Sequence, residues 1–165
     1  RDMLDGLDHF WRMRSYLDLQ ALPPAQREKL LPFIRQWAES AAAFDGPHIF
    51  RAYAQTHATR VATVAASAPF DCVISPVAPN LPAPAEDPSP TNDPLRPLEH
   101  IAFTVPWNMS EQPAASINCG YSAGGLPIGL QIAGRRFDDV GVMKVARAFE
   151  QLRGPQRPWP DAPAA

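Results

Sequence analysis

The chain has 165 residues, with 15 Lys plus Arg against 17 Asp plus Glu and a net charge of −2 at pH 7. A nearly neutral charge balance gives no indication of the basic face that nucleic-acid binding requires. No apolar run approaches the ~18 residues of a membrane span. We therefore expect a cytoplasmic chain with one modest core, without nucleic-acid or membrane partners. It begins at Arg1 without an initiator Met or signal-like run, which favours a fragment or processed product.

Residues 1–68 are predicted to form a helical segment. An apolar face with steps of three and four runs from Leu4 to Leu19, and charged residues such as Asp8 and Arg12 are placed on the solvent side. Prolines 23 and 24 should end this helix and open the next one, which Pro32 should bend or split.

A third helix is predicted from Pro47 to Ala66, after the Asp45-Gly46 stop. Its apolar side chains are predicted to point inward, and they are Ile49, Phe50, Tyr53, Ala54, Val61, Val64 and Ala65. No pair of histidines has the i,i+4 spacing of a helical metal site, so we expect no metal site.

Residues 69–153 are predicted to form an α/β segment, followed by a mobile tail at 154–165. The run Asp71 to Pro76 is typical of a buried strand, and the Pro-rich residues 77–97 predict an extended surface loop. Pro-x-x-Pro spacings in this loop leave open a partner that binds such motifs. Cys72 and Cys119 are predicted to be reduced and buried.

Two further strands are predicted at Ala114–Asn118 and Ile128–Ile132, joined by a loop in which Gly124 and Gly125 permit positive φ. A final helix should start at Asp138 or Asp139 and end before Gly154. The sequence thus predicts helices, then a hairpin with a third strand, then a helix.

The stretch from Phe103 to Gly134 also carries a spaced pattern of identities. Its parts are Phe103-Thr-x-Pro-x-Asn108, Pro113-Ala-x-Ser116, Gly120 and Gly125-Leu-Pro-x-Gly-x-Gln131-x-x-Gly134. This pattern resembles the C-terminal signature of the amidase signature family, serine amidohydrolases that cleave carboxamides. The resemblance implies an α/β fold in which a helical N-terminal segment, strands of a mixed sheet and a C-terminal helix form part of the larger amidase signature fold.

Enzymes of that family use a Ser nucleophile, a bridging Ser and a Lys, with both serines in a Gly/Ser-rich segment of the N-terminal half. This chain has no such segment, and Ser122-Ala-Gly124-Gly125 falls in the predicted hairpin loop. The two lysines, Lys29 and Lys144, lie in charged, helical surroundings. We therefore expect no catalytic residue here, and a chain that is inactive alone. Ser116 or Cys119 acting with His100 is a poorly supported alternative, because no nucleophile elbow or acid accompanies them.

The resemblance places six residues near a substrate pocket: Ser75, Pro76, Ile101, Thr104, Trp107 and Asn108. In amidases that make an amide donor for tRNA, an Asp that meets a substrate ammonium commonly stands where Ile101 stands, so a neutral amide is favoured here. Three of the candidates also have a plain structural interpretation. Ser75 can be the polar end of a core strand, Trp107 can be a packing residue, and Asn108 can stabilise its own turn.

Two other positions depart from the family pattern. Glu111 replaces a usual Gly and Asn118 a common Pro, which puts the local backbone path in doubt. We interpret the chain as the C-terminal part of an amidase that acts on a small neutral carboxamide, with possible self-association through unpaired strand edges. The alternative is a non-catalytic binding or scaffold module derived from an amidase.

Overall fold

The computed structural model describes residues 2–158, with side chains from residue 3 onward. Within this range lie six α-helices and three β-strands, with 3-10 turns at Ser40–Ala43 and Glu99–Ile101. The elements are α1 Asp2–Ala21, α2 Pro24–Arg27, α3 Pro32–Glu39, α4 Gly46–Ser67, β1 Cys72–Pro76, α5 Val105–Ser110, β2 Ala114–Tyr121, β3 Pro127–Gly134 and α6 Asp139–Leu152. The α/β order expected from the sequence is confirmed.

Prolines and caps set the helix boundaries. Pro32 lies in the first turn of α3, and the preceding Leu31 is extended, so the predicted split of the second helix is confirmed. Asp45 caps α4 by accepting a hydrogen bond from the backbone N of His48 at 2.7 Å. Asp138 caps α6 in the same way through the backbone N of Gly141, at 3.0 Å.

The helical layer packs α1 against α4, α3 and the Ser40–Ala43 turn. The predicted inward face of α4 is wrong, since Phe50 is 72% exposed and Val61 70%, whereas Ala52 is buried. Small residues explain the difference, because a Cβ added to Gly6 of α1 would lie 2.6 Å from the Gln55 Cβ of α4. The two helices therefore approach closely at small side chains, and Phe50 and Val61 of α4 point away, while Tyr53 contacts the Phe10 ring of α1 at 5.3 Å between centroids.

A three-stranded antiparallel sheet follows, with the strand order β1-β3-β2. In the register, Ile132 of β3 lies between Ile74 of β1 and Ala115 of β2. Helix α6 packs on β2 and β3, so Ile132 is fully buried, but Ile74 remains 58% exposed. The prediction of a buried β1 is therefore wrong for this chain, because β1 lies at the sheet edge.

The β2–β3 hairpin closes through Ser122. Its backbone N donates to the carbonyl of Leu126 at 2.8 Å, and its hydroxyl accepts from the Leu126 N at 3.1 Å. Ser122 thus stabilises the hairpin turn, as predicted. Cys119, predicted to be buried, is exposed and donates its thiol to the Ile128 carbonyl, because it lies on the outer strand β2.

Residues 77–98 contain neither helix nor strand. The second half is less extended than predicted and folds into turns, including one closed by Asn92 N donating to the Ser89 carbonyl at 2.9 Å. In the predicted tail, Arg157 lies against the hairpin, with its guanidinium 4.5 Å from the Tyr121 ring centre. The rest of that tail, 159–165, lies outside the described residues.

Candidate functional site: an apolar cavity between β1, β3 and the Pro-rich loop

A cavity of about 440 Å³ opens where β1 ends and β3 begins. Its walls are residues 76–82 at the start of the Pro-rich loop, Pro90 further along it, His100 in the 3-10 turn, and residues 127–129 of β3. The volume is within the range of small-molecule sites, and the lining is mostly apolar. None of these lining residues is a Lys, Arg, Asp or Glu.

Close backbone approach at Gly129 shapes the floor of the cavity. A Cβ at this position would lie 2.7 Å from Val77 Cγ2 and 3.1 Å from Ser116 Oγ. The backbone N of Val77 donates to the Gly129 carbonyl at 3.2 Å and extends the β1–β3 ladder by one bond. Glycine at position 129 therefore lets the loop leave β1 directly beside β3.

Gln131 fixes the segment before α5 to the sheet. Its side-chain Nε2 donates to Ser75 Oγ at 3.0 Å and to the Phe103 carbonyl at 2.8 Å. The residue is 4% exposed, so these bonds are shielded from water. The family-pattern residue Gln131 thus joins β1, β3 and the 99–104 segment into one unit.

Of the six predicted substrate-binding residues, Pro76 lines the cavity. Thr104 Oγ1 donates to the Ile101 carbonyl at 3.0 Å, and the Asn108 side chain donates to the Thr104 carbonyl at 3.1 Å. Trp107 is half-buried in α5, and its carbonyl accepts from the Gln112 N at 3.1 Å. Thr104 and Asn108 therefore stabilise their own turn, and substrate contact by all six residues stays a prediction.

The sequence analysis missed His100 as a cavity residue. Its ring is partly exposed and lines the cavity, while Nδ1 is buried and has no hydrogen-bond partner among the described residues. A single His between a Pro-rich loop and an apolar run carries no spacing signal, so only the fold brings it to the cavity.

A buried polar network holds the Pro-rich loop against the helical layer. Asp8 and Arg12, predicted to face solvent, are 6% and 5% exposed. Arg12 donates to the Asp8 carboxylate through Nε at 2.9 Å and Nη2 at 2.6 Å, and Trp37 Nε1 donates to the same carboxylate at 2.8 Å. Arg12 also reaches the loop itself, where it donates to the Pro94 carbonyl at 2.8 Å.

The two departures from the family pattern have visible consequences. Glu111 follows α5 in the left-handed conformation, with φ 58° and ψ 33°, which is the conformation that glycine adopts most easily at a helix end. Its carboxylate pairs with Arg60 of α4 at 2.5 Å and with Arg136 after β3. Asn118 coincides with the irregular register of β2, and its buried Oδ1 has no partner among the described residues.

Among the hydrogen bonds found within residues 2–158, none joins a Ser or Cys side chain to a His or Lys side chain, so this part of the chain shows no nucleophile paired with a base. Both lysines are exposed, Lys29 between α2 and α3 and Lys144 on α6. Among residues 2–158 no group of three His, Cys, Asp or Glu side chains could hold a metal ion. None of the helices in that range is long and apolar enough to cross a membrane.

Comparison with known proteins gives consistent matches. A family model described as Amidase matches residues 20–143. The A subunit of the glutamyl-tRNA(Gln) amidotransferase from Brevibacillus brevis is 49% identical over 63 residues, which is 38% of this chain and 13% of that protein. The corresponding protein from Pseudothermotoga lettingae is 45% identical over 84 residues, 51% of this chain and 17% of that protein. The matches thus span a small part of these relatives.

Solved structures show the same fold. A crystal structure of an amidase superposes with a TM-score of 0.76 at 20% identity, covering 92% of this chain and 36% of that one. A bacterial aryl acylamidase of the amidase signature family superposes with a TM-score of 0.74 at 22% identity, covering 90% and 33%. The chain therefore spans about a third of the solved proteins that it matches.

These superpositions show that the α/β architecture of this chain is part of the amidase signature fold. Since the family model also covers more than half of the residues, the chain belongs to the amidase signature family.

Proposed function

We propose that this chain is the C-terminal part of an enzyme that hydrolyses a small neutral carboxamide, and that its cavity forms one wall of the substrate site. The observation that carries the proposal is the lining of the cavity, which has no carboxylate, guanidinium or ammonium group. A charged substrate would lose hydration there without gaining a counter-charge, whereas a neutral amide would not.

Ile101 supports the same substrate class. It lies in the 3-10 turn beside His100, at the position where amidases that make an amide donor for tRNA commonly carry an Asp for the substrate ammonium. An aliphatic side chain offers no such partner, so a glutamine-like zwitterion is disfavoured. Among the structures with the same fold are one described as an aryl acylamidase and one described as a 6-aminohexanoate cyclic dimer hydrolase.

The proposed reaction is acyl transfer to a Ser that lies outside this chain, followed by hydrolysis of the acyl-enzyme. Backbone N–H groups near that Ser would stabilise the oxyanion, and the reaction needs no cofactor. Residues 1–165 would contribute binding and orientation, in the cytoplasm, and would be inactive alone. A reactive-serine probe should therefore leave the isolated chain unlabelled, and covalent labelling would contradict this part of the proposal.

The outer edge of β1 supports the proposal that more polypeptide belongs beside it. Within residues 2–158 that edge has no partner strand, and Ile74 on β1 is largely exposed. Open, apolar strand edges pair with other chains. We propose that the remainder of the enzyme covers this edge, and that the isolated chain self-associates through it. Sedimentation of the isolated chain should show oligomers, and Ile74→Lys should shift it toward the monomer.

The decisive experiment uses a polypeptide that joins this chain to an amidase-type N-terminal region. Neutral aryl and alkyl amides should be hydrolysed with a higher kcat/KM than glutamine. Ile101→Asp should shift the ratio toward glutamine, whereas the uncharged Ile101→Asn should not. Preference of the unmodified enzyme for glutamine would refute the proposed substrate class.

A non-catalytic binding module is the second candidate, favoured by one observation: the Pro-rich loop, the 3-10 turn and β3 already form a cavity of about 440 Å³. Binding of a neutral amide by the isolated chain agrees with both candidates. If the joined polypeptide binds such amides but neither hydrolyses them nor reacts with a serine probe, the binding module is the correct interpretation.

A further inference from the structure

His100 is a polar side chain in an otherwise mostly apolar cavity. It is carried by the Glu99–Ile101 turn, whose position is held by the bonds from Thr104 to the Ile101 carbonyl and from Gln131 to the Phe103 carbonyl. The ring is therefore attached to a backbone segment that is fixed to the sheet. A side chain on such a segment can present a hydrogen-bonding atom in a constant direction.

The surroundings of the ring indicate which nitrogen carries the proton. Nδ1 is buried and has no partner among the described residues. A buried N–H without an acceptor is rarer in proteins than an acceptor without a donor. A neutral ring with its proton on Nε2 leaves no buried N–H without an acceptor, and in that tautomer Nε2 is the donor.

Asn80 is the other polar side chain of the lining. Asn80 uses its Nδ2 to donate to the Leu81 carbonyl at 2.8 Å. The rest of the lining consists of Pro, Val, Ala, Leu, Ile and Gly residues. A ligand in the cavity therefore meets mostly apolar surface, and the polar side chains beside it are the His100 imidazole and the Asn80 amide.

We infer that His100 is a specificity-determining residue of the cavity, which selects neutral amides whose apolar group carries a hydrogen-bond acceptor such as an ether or carbonyl oxygen. This inference rests on the proposed function, because it takes the cavity as the substrate site. An acceptor satisfies the Nε2 proton when water leaves the cavity, and a purely hydrocarbon group leaves that donor without a partner.

A pair of ligands of nearly equal size tests the inference by binding, without turnover. In 4-methoxybenzamide and 4-ethylbenzamide an ether oxygen replaces a methylene. The isolated chain, with ¹⁵N-labelled histidine, is titrated with each ligand and followed by NMR. We expect the methoxy compound to bind about three- to tenfold more tightly, the range for one neutral hydrogen bond, and to shift the Nε2 resonance of His100.

Two variants sharpen the result. His100→Phe keeps a flat ring but removes the donor, and it should abolish the preference for the methoxy compound. His57→Phe is the matched control, because His57 is an exposed residue of α4 outside the cavity, and this variant should keep the preference. Circular dichroism verifies that both variants are folded.

The ¹⁵N spectrum of the unliganded chain provides a test that needs no variant. The proton of the neutral His100 ring should be on Nε2, and a proton on Nδ1 would overturn the inference. Equal binding of the two amides, failure of both to bind, or a preference that survives in His100→Phe would overturn it as well. Failure of the proposed hydrolysis would be seen separately, in the turnover and serine-probe assays.

Discussion

Removing the carboxylate of the buried ion pair tests the packing of the helical layer. In Asp8→Ala, Arg12 keeps its bonds to Ser40 Oγ at 2.9 Å and to the Pro94 carbonyl, but it loses two bonds to a carboxylate. Trp37 Nε1 loses its acceptor at the same time. The guanidinium, in a residue that is 5% exposed, is left as a buried charge without a counter-charge.

The expected cost follows from burial. Breaking a buried ion pair by removing one partner typically costs about 3–5 kcal/mol. With an unfolding entropy of about 0.35 kcal/mol/K for a domain of this length, the melting temperature should fall by about 9–14 °C. Because both side chains are shielded from solvent, added salt should change this loss little.

The assay is urea unfolding followed by far-UV circular dichroism, with Asp18→Ala as the control on the exposed side of the same helix. The milder Asp8→Asn, which keeps an acceptor for Trp37, should fall between the wild type and Asp8→Ala. If Asp8→Ala and Asp18→Ala lose the same free energy of unfolding, the buried network does not stabilise the fold as argued.

Three further predictions concern single positions. Glu111→Gly should be about 1 kcal/mol more stable than Glu111→Ala in urea unfolding, because both lose the ion pairs but only glycine relieves the left-handed backbone; equal stabilities would refute this. Gly129→Ala should cost about 1–3 kcal/mol through overpacking, whereas Gly120→Ala, with nothing within 4 Å of its added Cβ, should cost little; equal costs would argue against the close approach. Burial and then the neighbouring His48 lower the pKa of His9 from 6.5, so the unfolded state binds more protons and stability should fall as the pH drops below about 6.5. His9→Gln should flatten that pH dependence of the free energy of unfolding.

Local signals predicted the elements well. Pro32, Asp45 and Asp138 act within their own turns, so their effect on helix boundaries is visible in the sequence alone. The hairpin was equally accessible, because its Gly-rich turn and two apolar runs are adjacent in the chain. Its strands are longer than predicted, extending to Tyr121 and Gly134, since ladder bonds continue past the apolar residues.

Long-range packing was harder to predict. Helix α5 has six residues and Pro106 near its start, too few for a helical period, so its segment was interpreted as a turn. Asp8 and Arg12 were placed on the solvent side because charge normally indicates exposure, and their mutual pairing is not visible in a single helix. The α1–α4 contact uses Gly6 and Ala52, and small residues give no hydrophobic signal.

In the candidate site, too, local features can be predicted from the sequence and long-range contacts cannot. Pro76 lines the cavity because a strand end and its following loop are contiguous, and its contact with substrate stays a prediction. His100 and Gly129 are 29 residues apart in the sequence, and both line the cavity. The hydrogen bonds from Gln131 to Ser75 and to the Phe103 carbonyl hold their segments together. The absence of charge in the lining is a property of three separate segments, so it could be recognised only after they were brought together.

The bond from Arg12 to the Pro94 carbonyl has a consequence for how this chain tolerates changes in its Pro-rich loop. A hydrogen bond to a backbone carbonyl does not depend on which side chain the loop carries at that position. Mutations along the loop can thus alter the shape and polarity of the cavity while the loop stays attached to the helices. Exchange of this loop for that of a homologue should therefore change the lining of the cavity without detaching the loop from the helices.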